Sequence, residues 1–169
     1  MNDLLPQRKP TRLENFDYST AGAYFLTICT KERKPLLSTL ETVGDGALDI
    51  PLPQLTAIGQ IVEKYIRSTN CIKGVTVDRY VIMPDHIHMI VFVSPSEDNA
   101  SGTSRAPSPT NQAIPHVVST LKRFCNREIG CNVFQRSYND HIIRDEEDYQ
   151  TRCKYLEENP LRWSNGDRE

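Results

Sequence analysis

Two runs of β-forming residues, VTVDRYVIM (Val75–Met83) and HIHMIVFV (His86–Val93), stand only a Pro84-Asp85 step apart. A link this short, with a proline in it, joins antiparallel neighbours. Within a strand, residues two apart point to one side. His86 and His88 therefore project together, α-carbons roughly 7 Å apart, with Ile90 and Phe92 on the same side. Two imidazoles so placed can reach one cation between them, or can be polar strand residues without a metal. The same short pattern occurs in zinc hydrolases of the barrel class, but that scaffold takes roughly 250 residues. This chain has 169.

The remaining segments complete one architecture. AYFLTICTK (Ala23–Lys31) follows Ala21-Gly22 and reads as a strand. Between Pro35 and Gln54, the Asp45-Gly46 step closes either a small hairpin or a loop. Leu55–Asn70 carries Ile58, Ile61, Val62, Tyr65 and Ile66 at helical spacing. Ser94–Thr110 is rich in Ser, Pro, Gly and Asn and reads as a flexible surface loop inside one domain. A second amphipathic helix spans Asn111–Ile129 and stops at Gly130. SYNDHIIR (Ser137–Arg144) is a further strand. The last helix opens at DEED (Asp145–Asp148), where a capping Asp and an acidic first turn suit the helix dipole. Pro160 is expected to weaken it at Asn159. The order β, α, β, β, α, β plus one helix predicts an α+β, ferredoxin-like fold over residues 1–169: a four-stranded antiparallel sheet, two helices on one face and an extra C-terminal helix.

Hydrophobic residues make up 38% and charged residues 25%, as in soluble globular chains. No apolar run approaches the roughly 20 residues of a membrane span. The N-terminal MNDLLPQRKPTRLENF has no signal-type apolar core, so a cytoplasmic location is expected. Five cysteines (Cys29, Cys71, Cys125, Cys131, Cys153) with no CxxC pair argue against a disulfide framework or a zinc ribbon. The net charge of −2 does not favour a phosphate backbone. Locally, however, Leu121–Arg144 holds Lys122, Arg123, Arg127, Arg136 and Arg144 against Glu128 and Asp140, a net of +3. Each of these basic residues is either a contact for a phosphate backbone or ordinary solvated surface charge.

In the last helix, Tyr155 and Asn159 are four apart and share one face, displaced from the apolar spacing of Tyr149, Cys153, Leu156 and Pro160. Such a tyrosine either does chemistry or sits at an interface with its hydroxyl wet. Five stretches now point one way: RLENFDYSTAGAYFLTICTKER, YVIMPDHIHMIVFV, VVSTLKRF, VFQRSYNDHIIRDEEDY and KYLEENPLRW. Together they cover most of the chain, and in them it resembles the REP-associated tyrosine transposases and related single-tyrosine transposases of small insertion sequences. The family's His-hydrophobic-His (HUH) motif matches His86-Ile87-His88. Its Tyr-x-x-x-Asn pattern matches Tyr155 and Asn159.

The resemblance implies that a divalent ion, Mg²⁺ or Mn²⁺, is held by His86, His88 and Asn159. It implies that Tyr155 attacks single-stranded DNA at hairpin-flanked sites, leaving a 5′-phosphotyrosyl link and a free 3′ hydroxyl. A phenol of pKa about 10 needs help to ionise, and His141, in the matched SYNDHIIR, is a candidate helper or a backbone-bonded histidine. His116, after Pro115, carries no special role. Tyr138 is the rival nucleophile, on a strand and without a partner amide one helical turn away. Many members continue beyond the point matched by LRWSNGDRE. Some carry a Gly-Thr-Ser signature near the N-terminus, which here occurs only at Gly102–Ser104. Both differences bear on target recognition. The alternatives are a domesticated, inactive DNA-hairpin binder and a metal-binding ferredoxin-like protein acting on small molecules. The partner expected is single-stranded DNA hairpins, the assembly a monomer or homodimer.

Overall fold

A computed structural model of the chain describes residues 21–42, 51–95 and 113–166. Its strands are β1 (Gly22–Cys29), β2 (Ser38–Thr42), β3 (Pro51–Leu55), β4 (Val75–Ile82), β5 (His86–Val93) and β6 (Asn139–Ile143). Its helices are α1 (Ala57–Ser68), α2 (Ala113–Ile129) and α3 (Glu146–Ser164). Four strands form one sheet in the order β4-β5-β1-β6, every neighbouring pair antiparallel. This is two interleaved βαβ units, the ferredoxin-like arrangement expected from the order of elements.

Alternation in the strands explains the layers. Tyr24, Leu26 and Ile28 of β1 and Ile87, Met89 and Val91 of β5 face one side. They pack there with Val62 and Ile66 of α1 and Val117, Val118, Leu121 and Cys125 of α2. The opposite residues, Phe25, Ile90 and Ile143, meet Cys153 and Leu156 of α3, with Val81, Tyr149 and Tyr155 at the rim. The sheet is therefore covered on both sides, which is why HIHMIVFV is apolar almost throughout. In β4 the pairing steps from Val77↔Val91 to Arg79↔Ile90, so Asp78 is an extra bulged residue. Its carboxylate accepts a 2.8 Å hydrogen bond from the Tyr149 hydroxyl.

Two expectations are refined. Of the two options for Pro35–Gln54, the hairpin is observed, with Ser38↔Leu55 and Thr42↔Pro51 at its ends. Asp45-Gly46 and residues 96–110 of the expected surface loop lie outside the described residues. The last helix does not weaken at Asn159 but runs through Pro160 to Ser164. Proline removes one backbone donor, yet Leu156, Asn159 and Pro160 are all buried, and that packing outweighs the local preference. At the other end Asp145 caps the helix as expected, accepting from Asp148 N at 2.8 Å. Among the described residues no helix is long and apolar enough to cross a membrane.

One close approach ties the hairpin to the site. The Leu37 amide donates to the Pro84 carbonyl at 2.9 Å. The Leu37 carbonyl in turn receives the Thr56 amide and hydroxyl at 3.0 and 3.1 Å. Thr56 also caps α1 through Gly59 N. A Cβ at Gly59 would fall 2.0 Å from the Leu37 carbonyl oxygen. In an open helix, Gly→Ala stabilises by about 1 kcal/mol. Here Gly59→Ala is expected to destabilise by about 1–3 kcal/mol or more, a reversal of sign that urea denaturation would read directly.

Candidate active site

The start of β5 is held by its neighbours before any functional side chain is considered. The Met83 amide donates to the His86 carbonyl at 2.9 Å, closing the Pro84-Asp85 turn. The Asp85 carbonyl accepts from the Thr30 amide (2.8 Å) and hydroxyl (3.0 Å) at the end of β1. Beyond Thr30, Glu32 and Arg33 adopt left-handed φ values of 59° and 54°, strained for side-chain-bearing residues. That bend carries the Arg33 guanidinium to 3.5 Å from the Asp85 carboxylate.

Each imidazole has a partner on one nitrogen. His86 Nδ1 meets the Asp85 carboxylate. A carboxylate accepts, so His86 Nδ1 carries a proton, and in the neutral ring the lone pair is then on Nε2. His88 Nδ1 lies 2.9 Å from the hydroxyl of Thr27, its opposite number on β1. His88 is 1% exposed, and its Nε2 is buried without a hydrogen-bond partner among the described residues. Burial, then the positive charge that His86 and Arg33 can present, pushes its pKa from 6.5 to about 2. His88 is therefore neutral, the form in which imidazole binds metals.

The rings pack closely. The His86 and His88 centroids are 4.4 Å apart. Phe25 stacks on His88 at 5.1 Å, and Tyr155 meets His88 edge to face at 5.2 Å. Trp163 stands 5.8 Å from His86. Tyr155, Asn159 and Trp163 follow one another at helical i, i+4, i+8 spacing. With the first against His88 and the last against His86, the buried Asn159 lies between them along α3. Among the described residues no three His, Cys, Asp or Glu side chains form a metal cage. A cation here would need a donor of another kind, and Asn159 is the buried amide of that stretch of α3. An orphaned, neutral imidazole nitrogen beside a second imidazole fits a first-row divalent ion.

The other expected residues lie elsewhere. Tyr138 packs at the rim of the larger core, on the α1/α2 side, with Lys122 Nζ 5.9 Å from its ring centre. His141 pairs with Phe25 on β6. Its Nε2 is 2.7 Å from the Asp148 carboxylate and 3.3 Å from the Arg152 guanidinium. Lys122 donates to the carbonyls of Gln135, Arg136 and Ser137 at 2.8, 3.3 and 2.9 Å, and burial lowers its pKa to about 8. Arg123 and Arg127 are exposed on α2, across the sheet from the histidine pair, while Arg136 and Arg144 flank β6 and are exposed. His116 is exposed. Sequence reading missed Thr27, Phe25, Asp85, Arg33 and Trp163. Asp85 adjoins the histidine motif and Thr27 is the polar break in AYFLTIC, but only the strand register shows what they touch.

No protein-family model matches the chain. It is 30% identical over 173 residues to an uncharacterized Haemophilus influenzae protein, covering 92% of this chain and 89% of that one. A second H. influenzae protein, assigned by name to the REP-associated tyrosine transposases, is 24% identical over 147 residues, covering 86% and 74%. A solved REP-associated tyrosine transposase bound to a REP hairpin shares the fold at a TM-score of 0.57 and 19% identity, covering 84% and 68%. The chain thus resembles a protein named as a REP-associated tyrosine transposase and shares the fold of a solved one. In that shared fold, His88 and His86 are the residues whose rings pack with Tyr155 and Trp163.

The burial of a neutral His88 has a pH consequence. The unfolded chain takes up this proton near pH 6.5 and the folded chain only near pH 2. Between the two, the unfolded state binds more protons, so stability falls as pH falls. With a chelator present, stability is expected to drop below pH 6.5 by about 1.4 kcal/mol per pH unit from this residue. The His88→Gln variant should show a correspondingly flatter pH dependence in urea denaturation between pH 7 and pH 5.

Proposed function

We propose that this chain nicks and rejoins single-stranded DNA beside hairpins, using Tyr155 as nucleophile and a divalent ion held by His86, His88 and Asn159. The observation that carries the reading is the edge-on contact of Tyr155 with His88, whose buried Nε2 has no hydrogen-bond partner among the described residues. The hairpin recorded with the solved relative makes hairpin DNA the natural substrate class.

In this reading the Tyr155 oxygen attacks the scissile phosphorus in line. The bond to the 3′ oxygen breaks, the phenolic proton passes to solvent, and the 3′ oxygen is protonated as it leaves. A 5′-phosphotyrosyl bond replaces a phosphodiester, so its energy is retained and rejoining by a 3′ hydroxyl needs no nucleotide. When bound, Mg²⁺ or Mn²⁺ supplies Lewis-acid stabilisation of charge on the phosphoryl oxygens. Asp85 and Thr27 fix the two rings through Nδ1, and Phe25 keeps water from the inner face of His88. His141, held by Asp148, acts from the edge strand as a positioning group for Arg152. Arg123, Arg127, Arg136 and Arg144 provide exposed charge for the hairpin backbone, whereas Lys122 is engaged by carbonyls. Tyr155 and both histidines come from one chain, so a monomer suffices.

The test is a denaturation-resistant adduct between protein and a labelled hairpin oligonucleotide in Mn²⁺. Wild type is expected to form it, Tyr138→Phe to keep it, and Tyr155→Phe to lose it while still binding the DNA. Cleavage that survives Tyr155→Phe but not Tyr138→Phe reverses the assignment. Binding without an adduct in wild type makes the chain an idle hairpin binder.

Metal binding has its own readout. Trp163 is the single tryptophan and lies beside His86, so paramagnetic Mn²⁺ should quench its fluorescence. Asp85→Asn is expected to weaken the Mn²⁺ affinity about 10–100-fold. Quenching that persists unchanged in a His86→Ala, His88→Ala protein would place the ion elsewhere.

A further inference from the structure

Two arginines of α3 lie against the aromatic rings of the site. The Arg152 guanidinium is 5.5 Å from the Phe25 ring centre, and the Arg162 guanidinium 5.4 Å from that of Tyr155. Phe25 and Tyr155 themselves meet edge to face at 5.8 Å. A cation thus closes each end of the ring pair. The spacing 152, 155, 159, 162 alternates steps of three and four, so both arginines ride on the nucleophile's side of the helix.

Each guanidinium is tethered one turn back, Arg152 to Asp148 at 3.2 Å and Arg162 to Glu158 at 3.4 Å. Arg152 also approaches His141 Nε2. These contacts orient the groups without consuming them. A guanidinium has five N–H donors, and one carboxylate engages at most two. Both side chains keep solvent access, 29% for Arg152 and 51% for Arg162. Arg123 and Arg127 ride on α2, on the opposite side of the sheet, and so cannot bracket Tyr155.

The geometry points to a phosphate clamp: Arg152 and Arg162 bind backbone phosphates on either side of the one attacked, with a single DNA strand running along α3. This rests on Tyr155 as the nucleophile. The ligand class is a phosphodiester chain, whose oxygens match guanidinium donors in charge and geometry. Stacking on the rings holds each group in place before DNA arrives, which lowers the ordering cost of binding.

Salt dependence tests the clamp, because each phosphate contact to a single strand contributes about 0.7 to the slope of log K against log salt. The probe is labelled oligodeoxythymidylate, titrated with full-length protein over a range of salt. Arg162→Gln, a change at a half-exposed position, is expected to lower the slope by about 0.7, and Arg152→Gln with Arg162→Gln by about twice that. The double lysine variant should restore it, since lysine keeps the charge but not the planar stacking group. A glutamine variant that lowers the melting temperature yet leaves the slope unchanged would make the arginines packing groups and overturn the clamp. So would a slope that falls only for Arg123→Gln with Arg127→Gln. If wild type does not bind the probe at all, the proposed function fails first. If wild type binds and forms the tyrosine adduct but the slopes do not move, only the clamp fails.

Discussion

The structure depends on β5 being buried from both sides. Ile87, Met89 and Val91 enter the core beneath α1 and α2, while Ile90 and the two histidines face α3. A polar ring placed in such a strand loses its water, a penalty offset only if its nitrogens find partners. Asp85 and Thr27 provide one partner each. The sheet thus determines ring orientation and, for His88, protonation together: the most apolar strand keeps the His88 imidazole neutral and directs both rings toward α3.

Much of this was legible beforehand, because it rests on local periodicity. The limits of β5 agree with the sequence reading residue for residue, since HIHMIVFV is bounded by a proline turn and by Ser94-Pro95. The shared face of Tyr155 and Asn159 follows from helical spacing alone, and the family resemblance indicated which tyrosine to compare. Long-range pairing was not legible. Thr27 lies 61 residues from His88, and only the β1–β5 register brings them together. Lys122 showed the opposite failure. Its charge pointed outward to phosphate, but the 135–137 segment folds back and occupies it with carbonyl oxygens. Pro160 was misjudged because its local cost was weighed without the packing of Leu156 and Asn159.

Electrostatics on the α3 side differ from what net charge indicates. The first turn of the helix is acidic, as the dipole favours, whereas Arg152 and Arg162 lie over the Phe25 and Tyr155 rings and Arg33 beside Asp85. Each arginine has a carboxylate neighbour, so the region is near neutral in sum yet presents guanidinium groups on the ring side. A chain of net negative charge can in this way still present guanidinium groups along one side of α3.

The bulge in β4 carries a final consequence. Because Asp78 is supernumerary, Val75 and Val77 before it and Tyr80 and Ile82 after it all reach the same core, although their numbering changes from odd to even. The strand can therefore shed Asp78 alone and keep its parity, losing little beyond the hydrogen bond to Tyr149. Removal of a residue near either end of β4 would instead put part of the strand out of phase with both layers. Length variation in this strand has one tolerated address, and Asp78 occupies it.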